Sequence, residues 1–532
     1  MTATDSLERT GGDEEIWPPD SARPWWDKLR ERVRPEAVVT FLVVAACVAF
    51  TFKELQPSQL FKNTTPAGGD MGAHVWLPDY VKRALLPHLQ LTGWTPDWYD
   101  GFPVLTFYFP LPIVSIALLS YVIPYAIAFK LVTVLGLLTL PIAAWAFGRL
   151  AGLRFPVPAV LAAATLPYLF GREFTIYGGN IASTMAGEFS FSISLSFALV
   201  FLGLVFRGLD TGRHRASAAV LLACTGLCHV LPLIFAVAGA VVAILMSVAT
   251  TSDWRRLRWG VPVLVTGGAL IAFWALPFYW DLPYATNMGY GKITTYVASL
   301  FPAHDTWLFV LAGAGVLLSA ARYNRIGVFL GIMATLAAVV FVVAPPARLW
   351  NARVLPFWFL CLYLLAGVAF AEAGSMVAEM AAARSPAGEL KYIGVPIFTA
   401  LVAFVWVLYP LHYLPFGHTT ASGQYDWLGI KSRDTSFVPD WVYWNYSGYQ
   451  NSGKSRRNEY FALVDEMKRL GADPRYGCGR AMWQYEPELD QMGTPDALML
   501  LPYWTHGCIG SQEGLYYESS ATTPYHFLNA AE

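Results

Sequence analysis

Side chains that could do chemistry collect in short polar segments between long apolar runs. The first of these segments, residues 66–87 (PAGGDMGAHVWLPDYVKRALLP), places Asp70 directly after two glycines and ahead of His74 and Asp79. A carboxylate in this position could take a proton from a hydroxyl group. It could equally cap the helix that follows, because Asp is a favoured N-cap residue. The segment alone leaves both interpretations open.

Aromatic rings alternate with carboxylates in the continuation of this loop, LTGWTPDWYDGFPVLTFYFPLP. Sugar rings present C–H faces that stack on aromatic side chains, and carboxylates bind sugar hydroxyl groups. Aromatic residues are also typical of the membrane–water interface, and neither interpretation excludes the other. The candidate substrate contacts in the loop are His74, Asp79, Asp97, Trp98 and Asp100.

Cationic side chains lie in other polar segments, which we predict to face the same side as Asp70. The segment PPARLWNARVLPFW contains Arg348 and Arg353 where one apolar run ends and the next begins. A guanidinium there can bind a phosphate through two hydrogen bonds, although anchoring a helix end at the membrane surface is its commoner use. The further candidates for phosphate binding are Lys130, Arg172 and His229.

Several polar candidates have an ordinary structural explanation as well. His229, in CHVLP, stands at a turn between apolar segments, where a polar residue satisfied by the backbone is the favoured interpretation. Glu173 and Glu188 are candidate second acids in a substrate site, but an acid at a helix start also interacts with the helix dipole. Lys292, in MGYGKITTY, is one more candidate contact on the predicted outer side.

Two aromatic segments near the C-terminus, DWVYWNYSGYQ and EGLYYES, could bind an acceptor glycan. A folded aromatic core explains the same residues and is the favoured interpretation. The candidate acceptor contacts are Trp441, Trp444, Tyr446 and Glu518.

The composition requires a membrane around the segments that carry these residues. Of the 532 residues, 55% are hydrophobic and 14% are charged, and the mean hydropathy is +0.43. Soluble proteins carry about 25% charged residues. The apolar runs have roughly 17 to 25 residues, which is long enough to span a bilayer as a helix. The net charge of −1 gives no reason to expect a nucleic-acid partner.

Eleven membrane spans are predicted, with the N-terminus in the cytoplasm. Their positions are 37–53, 126–147, 156–171, 186–207, 216–229, 231–249, 259–279, 305–321, 326–344, 353–372 and 393–413. Basic residues such as Arg149, Arg154 and Lys391 then share one side with the basic N-terminal segment, as the positive-inside rule requires. Residues 109–125 are apolar enough to cross, but a crossing would place Arg149 and Arg154 outside. We therefore predict a juxtamembrane or re-entrant helix there.

The chain divides into three predicted regions. Residues 1–36 are a disordered cytoplasmic tail with a basic interfacial helix, and residues 37–413 are a membrane domain whose outer loop 54–125 carries juxtamembrane helices. Residues 414–532 are a mixed α/β domain on the extracytoplasmic side, and the abrupt end HFLNAAE indicates that part of it lies beyond residue 532.

The cysteines indicate an oxidising compartment for the C-terminal domain. Cys478 and Cys508 are the two that fall outside the predicted spans, so we predict a disulfide between them. Four others lie in apolar spans and are expected in the core. These are Cys47, Cys224, Cys228 and Cys361. No group of cysteines and histidines has the spacing of a metal site, and none is predicted.

Residues 37 to about 413 resemble the GT-C membrane glycosyltransferases, a superfamily that includes oligosaccharyltransferases and protein O-mannosyltransferases. The resemblance lies in the order of the parts: one span, a long outer loop that opens with an acid, a proline-bearing juxtamembrane stretch (GFPVLTFYFPLP), many spans, and an outer C-terminal domain. Within this superfamily the chain is most similar to bacterial membrane proteins called 6-pyruvoyl-tetrahydropterin-synthase-related. The segments that match are GGDMGAH, LWNARVLPFW, WVYWNYSGY and EGLYYESSATTPYHFL.

This resemblance implies an all-α polytopic GT-C-like membrane protein of the bacterial cytoplasmic membrane, with its site on the extracytoplasmic face. Asp70 would be the catalytic base of an inverting transfer, which takes place in a single displacement from a polyprenyl-phosphate sugar to a glycan or glycolipid acceptor. Arg353, with Arg348, would stabilise charge on the leaving phosphate. No cofactor is implied, except for a divalent cation if the donor is a lipid diphosphate.

Two alternatives remain at this point. The first is an oligosaccharyltransferase-like or protein O-glycosylating enzyme of the same fold. The second is a protein that binds or transports a sugar lipid without catalysis. A transporter should carry acids and Gly/Pro breaks deep within several spans, as well as repeated halves. The conspicuous acids here lie in the outer loops instead, which favours chemistry at the membrane surface.

Overall fold

Helices dominate this computed structural model, which describes residues 34–171, 176–286, 290–346, 350–382, 388–432, 437–484 and 486–516. Within these ranges, nine helical segments are long and apolar enough to cross a membrane. They are Pro35–Glu54, Tyr125–Leu150, Phe189–Thr211, Val230–Thr251, Trp254–Tyr284, Tyr296–Ala321, Arg325–Val343, Asn351–Ala381 and Leu390–Leu408.

Two shorter apolar helices occupy the remaining predicted spans. Val157–Leu169 has 13 residues and Arg215–Cys228 has 14 residues. At 1.5 Å per residue each is about 20 Å long, which is shorter than the hydrocarbon layer of a bilayer. All eleven predicted positions are therefore helical, and nine of them reach the full spanning length.

We number the α-helices and β-strands in chain order. The helices up to residue 251 are α1 (Pro35–Glu54), α2 (Pro57–Leu60), α3 (Met71–His74), α4 (Trp76–Tyr80), α5 (Pro110–Leu119), α6 (Tyr125–Thr133), α7 (Leu135–Leu150), α8 (Val157–Leu169), α9 (Ile181–Ala186), α10 (Phe189–Thr211), α11 (Arg215–Cys228) and α12 (Val230–Thr251). The later helices are α13 (Leu257–Asp281), α14 (Tyr296–Leu300), α15 (Thr306–Ala321), α16 (Arg325–Val343), α17 (Leu355–Ala381), α18 (Gly394–Leu408), α19 (Val438–Ser447), α20 (Arg457–Ala472) and α21 (Leu501–Trp504).

The segment 109–125 forms α5, which has 10 residues and starts at a proline. A helix of this length extends about 15 Å, half the thickness of the hydrocarbon layer. It packs against α6 and α11 beside the loop that carries Asp70. Its length agrees with the prediction that this apolar segment does not cross the membrane.

Two helices form the centre of the bundle. In the most apolar 18 residues of α10, 89% are buried within the protein. The corresponding share is 94% in the segment that contains α17. The helix α10 packs against α7, α11 and α12, and α17 packs against α8, α15, α16 and α18. A helix that is apolar on all sides belongs inside a bundle, and this burial makes the starts of α10 and α17 rigid positions.

Short strands lie outside the helical bundle. The antiparallel pair β1 (Gly93–Thr95) and β2 (Phe102–Val104) belongs to the first loop. The C-terminal region contains a three-stranded antiparallel sheet and a parallel pair. These strands are β3 (His418–Thr419), β4 (Tyr425–Trp427), β5 (Ile430–Ser432), β6 (Gly479–Ala481) and β7 (Ile509–Ser511). Together with α19 to α21 they form the mixed α/β region that the sequence predicts after the last span.

The first loop and the C-terminal region pack together closely. The Ser511 backbone N–H donates to the Asp97 carbonyl at 2.8 Å, and the Tyr99 hydroxyl donates to the Gly514 carbonyl at 2.6 Å. The predicted disulfide between Cys478 and Cys508 is present. Cys478 directly precedes β6 and Cys508 directly precedes β7, so the disulfide joins the starts of this parallel pair, and β7 meets the first loop.

Candidate functional site

Asp70 stands at the N-terminus of α3 with its side chain exposed. Its backbone carbonyl accepts hydrogen bonds from the N–H groups of Ala73 and His74, at 3.0 and 2.9 Å. Among the described residues, the Asp70 carboxylate makes no capping hydrogen bond to this helix. The cap interpretation therefore does not account for the carboxylate.

The two glycines before Asp70 are required by the close packing of the turn. Gly68 has φ +83° and Gly69 has φ +49°, in the left-handed region that favours glycine. A Cβ atom on Gly68 would lie 1.7 Å from the side-chain oxygen of Asn445. The Gly68 N–H donates to the Gly493 carbonyl at 2.8 Å, and the Asp70 N–H donates to the Ala186 carbonyl at 3.1 Å. This turn sets the position of the Asp70 carboxylate.

Glu188 and Arg353 form an ion pair next to this turn. Glu188 directly precedes α10, and Arg353 lies in the 3-10 turn Asn351–Val354 that leads into α17. The two side chains are 21% and 22% exposed, so the pair is shielded from solvent but remains accessible. The two central helices of the bundle therefore begin at the same ion pair.

The turn that carries Arg353 is held by Asn351, which is nearly completely buried. Its side-chain amide donates to the carbonyls of Phe341 and Ile293 at 3.0 Å, and its side-chain oxygen accepts from the Ile293 N–H at 3.0 Å. Three hydrogen bonds from one side chain fix the direction in which the turn presents Arg353. The sequence reasoning did not select Asn351.

His229 contacts the same ion pair from a third segment. Its Nε2 atom lies 3.9 Å from a carboxylate oxygen of Glu188. Its Nδ1 atom accepts a hydrogen bond from the Leu231 N–H at 3.1 Å, which caps α12. The favoured interpretation of His229 as a helix-end residue satisfied by the backbone fits this bond, and the other ring nitrogen faces Glu188.

Asp70 belongs to this cluster. A Cβ atom on Gly187 would lie 2.9 Å from the Asp70 Cβ atom, so the residue beside Glu188 packs directly against Asp70. The Asp70 carboxylate and the Arg353 guanidinium also interact electrostatically. Four segments that are far apart in sequence thus meet here, and we call Asp70, Glu188, His229 and Arg353 the Asp70–Arg353 site.

A second aspartate, Asp496, approaches Asp70 from the C-terminal region. Burial raises the pKa of its carboxyl group well above the usual value, and the negative charge of Asp70 raises it further. The Thr494 hydroxyl donates to the Gly69 carbonyl at 2.7 Å and holds this loop against the Asp70 turn. The sequence offers no signal for Asp496, because nothing near it in the chain indicates its neighbours in space.

His74 lies behind the site and is 5% exposed. Its Nδ1 atom is 2.9 Å from the Tyr516 hydroxyl, and its ring packs against Tyr108 and Phe189. Burial lowers the pKa of His74 from 6.5 to about 3, so the ring is neutral at physiological pH. Aromatic side chains thus enclose His74, and its contact with substrate stays a prediction.

Three predicted sugar contacts of the first loop serve the packing of the loop instead. Asp97 accepts hydrogen bonds from Trp76 Nε1 at 2.8 Å and from Arg83 at 2.6 Å, and it is 4% exposed. Asp79 pairs with the same Arg83 at 3.3 Å, while burial raises the pKa of its carboxyl group. Trp98 is fully buried. Asp97 and Trp98 are therefore part of the packed loop and Asp79 is held by Arg83, while a contact of these residues with a sugar stays a prediction.

Asp100 and Lys292 lie nearer the surface. Asp100 pairs with Arg480 at 2.8 Å and joins the first loop to β6. Lys292 donates to the Val342 carbonyl at 2.6 Å, at the end of α16. The structure gives both side chains protein partners, and a role of either in substrate binding stays a prediction.

Lys130 has a completely buried ammonium group that is surrounded by protein oxygen atoms. It donates to the carbonyls of Gln59 and Lys62 at 2.9 Å, to the Thr64 hydroxyl at 2.8 Å and to the Tyr446 carbonyl at 2.8 Å. These donors are used within the protein, and a contact of Lys130 with phosphate stays a prediction. Lys130 connects α6 with the first loop and with α19.

The aromatic residues of α19 form a scaffold beneath Asp70. Tyr446 is fully buried and its hydroxyl lies 3.1 Å from the Thr133 hydroxyl, so its contact with a glycan stays a prediction. Trp444 donates to the Gly493 carbonyl at 3.0 Å. Trp441 is half-buried and packs against Phe437. The alternative of a folded aromatic core describes this helix.

Asn445, on the same helix, binds both sides of the site. Its side-chain amide donates to the Met185 carbonyl at 2.7 Å, and its own carbonyl accepts from the Ala67 N–H at 2.9 Å. It therefore joins the turn before Asp70 to the segment before Glu188.

Four predicted site residues lie outside the described residues. They are Arg172, Glu173, Arg348 and Glu518.

In the part of the chain that the structure describes, no group of three or more His, Cys, Asp and Glu side chains could hold a metal ion. The question of a divalent cation therefore stays with the chemistry of the donor.

Comparisons with known proteins identify a family and a fold. A family described as 6-pyruvoyl-tetrahydropterin synthase related domain, membrane protein, matches residues 105–409, more than half of the chain. A comparison with curated proteins finds no match.

A crystal structure of the Archaeoglobus fulgidus oligosaccharyltransferase, tethered with an acceptor peptide containing the NVT sequon via a disulfide bond, is similar in fold. The TM-score is 0.51 and the identity 10%, and the match covers 90% of this chain and 64% of the other. A structure of the archaeal oligosaccharyltransferase AglB from A. fulgidus, with an inhibitory peptide and a dolichol-phosphate, gives a TM-score of 0.42 at 11% identity, with 93% and 65% covered.

The present chain thus corresponds to less than two thirds of the length of these oligosaccharyltransferases. The first match supports the expected GT-C-like fold, with its helical membrane bundle and a C-terminal region on one side. This chain belongs to the 6-pyruvoyl-tetrahydropterin synthase related family of membrane proteins.

Proposed function

We propose that this protein is a membrane glycosyltransferase that moves a sugar from a polyprenyl-phosphate donor to a glycan or glycolipid acceptor outside the cytoplasm. The observation that carries the proposal is the convergence of an exposed carboxylate, Asp70, with the Arg353 guanidinium at one end of the membrane bundle. At the end of the bundle, near the membrane surface, a lipid-linked sugar phosphate can meet the hydroxyl group of an acceptor in water.

The reaction that suits this geometry is a single displacement. The Asp70 carboxylate takes the proton of the acceptor hydroxyl, and the hydroxyl oxygen bonds to the anomeric carbon of the donor sugar. The bond between the anomeric carbon and the phosphate oxygen breaks, and its electron pair stays on the phosphate. Arg353 stabilises the negative charge that develops there. The configuration at the anomeric carbon is inverted, and no covalent intermediate with the protein forms.

Glu188 and His229 support Arg353 in this proposal. The ion pair with Glu188 keeps the guanidinium pointed at the site, and three segments of the fold fix that pair. A side chain that is already oriented loses little conformational entropy when the transition state forms. Glu188 and His229 are therefore positioning residues for the phosphate contact.

A peptide acceptor is the second candidate. It is favoured by one observation, the similarity in fold to an oligosaccharyltransferase that was crystallised with an acceptor peptide. The match covers 64% of that protein at 10% identity, so peptide binding is a property of that protein and only a candidate for this chain. A sugar-lipid binding protein without catalysis remains the third candidate, and the exposed position of Asp70 counts against it.

The test uses the full chain in lipid nanodiscs with radiolabelled polyprenyl-phosphate mannose, arabinose, glucose and galactose, each offered with envelope glycolipid or with peptide. We expect one donor to be consumed and a labelled glycan or glycolipid to form. The variant Asp70→Asn should lower turnover by about 10²- to 10⁴-fold, the usual contribution of a general base. The matched control Asp465→Asn changes an exposed acid on α20 and should leave turnover unchanged.

Normal turnover by a folded Asp70→Asn variant would defeat the assignment of the base. A labelled peptide would replace the first candidate by the second. Binding of the sugar lipid without any product would favour the third candidate.

A further inference from the structure

A cavity of about 640 Å³ opens at the end of the bundle opposite to Asp70. The helix α1 has 20 residues and is about 30 Å long, with Arg34 at one end and the loop toward Asp70 at the other. The cavity lies between the first turns of α1, the last turns of α7 and the start of α8. It is therefore separated from the Asp70–Arg353 site by the thickness of the membrane.

Three arginines surround the polar end of this cavity. They are Arg34, Arg149 and Arg154, and all three are exposed. Among the residues that the structure describes, none of the three has an acidic partner within 4 Å. Among the described lining residues Glu36 is the one acid, so these four charged side chains carry a surplus of two positive charges.

The walls of the cavity are apolar and continue along two helices of spanning length. Phe41 and Val44 belong to α1, and Ile142 and Trp145 belong to α7. Phe41 is 69% exposed and Ile142 is 43% exposed, on helices whose surroundings in a membrane are hydrocarbon. An occupant of this cavity must carry both a long apolar chain and a negatively charged group.

We propose that this cavity binds one anionic phospholipid from the membrane leaflet opposite to Asp70. The phosphodiester lies between the Arg149 and Arg154 guanidinium groups, which can each donate two parallel hydrogen bonds to phosphate oxygen atoms. Arg34 adds a third positive charge. The acyl chains lie in the groove between α1 and α7, along the four apolar side chains. The occupant is a lipid, since a free phosphate would leave these walls exposed.

The proposal is independent of the proposed function, because it concerns the other end of the bundle. Its test is the purified full chain in detergent, titrated with a photoactivatable phosphatidylglycerol and, as the zwitterionic comparison, with the matching phosphatidylcholine. We expect crosslinks on the peptide that contains Ile142 and Trp145, and a higher midpoint of thermal unfolding with phosphatidylglycerol alone.

The charge variant is Arg149→Gln combined with Arg154→Gln. An arginine at a membrane surface contributes about 1 kcal/mol to binding an anionic lipid, so the apparent affinity should fall by about 30-fold. The matched control is Arg207→Gln combined with Arg258→Gln, two exposed arginines at the same end of the bundle that do not line the cavity. This control should bind phosphatidylglycerol like the wild type.

A second variant keeps the charges and removes the space. Ile142→Trp places a larger ring in the apolar groove and should also weaken phosphatidylglycerol binding, even if the charge variant does not fold. Equal binding of phosphatidylcholine, equal loss in the control variant, or the same stabilisation by inorganic phosphate would overturn the proposal.

Discussion

The neighbours of each ionisable side chain decide which of them can act on a substrate. Arg83 binds both Asp79 and Asp97 and turns two acids of the first loop into structural residues. Two glycines precede Asp70 and let the backbone pass close to Asn445 and bond to Gly493. Its backbone is held by hydrogen bonds while its carboxylate stays exposed. That combination suits a catalytic base.

His74 should make the stability of the fold depend on acidity. Burial lowers its pKa from 6.5 to about 3, so between these values the unfolded chain binds a proton that the folded protein does not. Stability therefore falls as the pH drops through this window, by up to a few kcal/mol for this residue. We expect His74→Phe to lower the free energy of unfolding by about 1 kcal/mol at neutral pH, because the hydrogen bond to Tyr516 is lost. The stability of this variant should then fall less than that of the wild type as the pH drops.

The measurement for His74 is the unfolding midpoint in detergent from neutral pH to about pH 4. The exposed His88, in the same loop, supplies the control variant His88→Phe, which should keep the pH dependence of the wild type. Parallel curves for His74→Phe and the wild type would contradict the prediction.

At the scale of elements, α19 is the support of the site. Its residue Asn445 bonds to the turn before Asp70 and to the segment before Glu188. The Tyr446 carbonyl of the same helix accepts from the buried Lys130 ammonium. The helix belongs to the C-terminal region, whereas Lys130 belongs to α6 in the membrane bundle. The geometry of the site therefore depends on docking between the two.

Lys130→Met should loosen this docking. The substitution removes the donor that four oxygen atoms share, two of them buried, and a hydrogen bond from a charged group contributes about 1.5–3 kcal/mol. We expect a loss of about 3 kcal/mol in stability together with reduced transfer. Thermal unfolding and turnover are measured in parallel with Lys62→Met, which changes an exposed lysine beside the same network. Equal unfolding midpoints for Lys130→Met and the wild type would show that the network does not stabilise the fold.

The disulfide should stabilise the strand that meets the first loop. It links Cys478 and Cys508, which are separated by 30 residues. Closing a loop of that size lowers the conformational entropy of the unfolded chain, which stabilises the folded state by about 3–4 kcal/mol. We expect the double variant Cys478→Ser with Cys508→Ser to unfold at a lower temperature, and a reducing agent to lower the midpoint of the wild type but not of the variant. An unfolding midpoint of the variant equal to that of the oxidised wild type would rule out this stabilisation.

At the scale of the whole molecule, the bundle presents different surfaces at its two ends. One end carries the Asp70–Arg353 site at the starts of the two central helices, and the other carries basic turns such as those at Arg149 and Arg154. Because basic residues stay on the cytoplasmic side, the positive-inside rule predicts that the site faces away from the cytoplasm.

Labelling of introduced cysteines tests this orientation. Ser422→Cys lies in the exposed turn between β3 and β4, and Ser252→Cys lies in an exposed turn after α12. In intact cells with a permeabilised outer layer, we expect a membrane-impermeant maleimide to label the first variant, and to label the second only after the membrane is opened. The reverse pattern would place the Asp70–Arg353 site in the cytoplasm.

The sequence by itself determined the membrane class, the eleven helical positions, the disulfide and the placement of Asp70 and Arg353 at the same end of the bundle. The reason is that span length, basic loops and cysteine position are properties of local sequence. The bilayer selects apolar segments by their length, and the charge of each loop selects the side on which it lies. The resemblance to a known family agreed with the match over residues 105–409.

Only the tertiary structure decided which polar residues face the site. Lys130, Asp97, Trp98 and Tyr446 have the residue types of a substrate site, but long-range packing buries them with partners elsewhere in the chain. Asn351, Asn445 and Asp496 could not be selected beforehand, because their contacts join segments far apart in sequence. A local pattern encodes hydrophobic length and helix period, whereas the partner of a buried polar group is set by the packing of the whole chain.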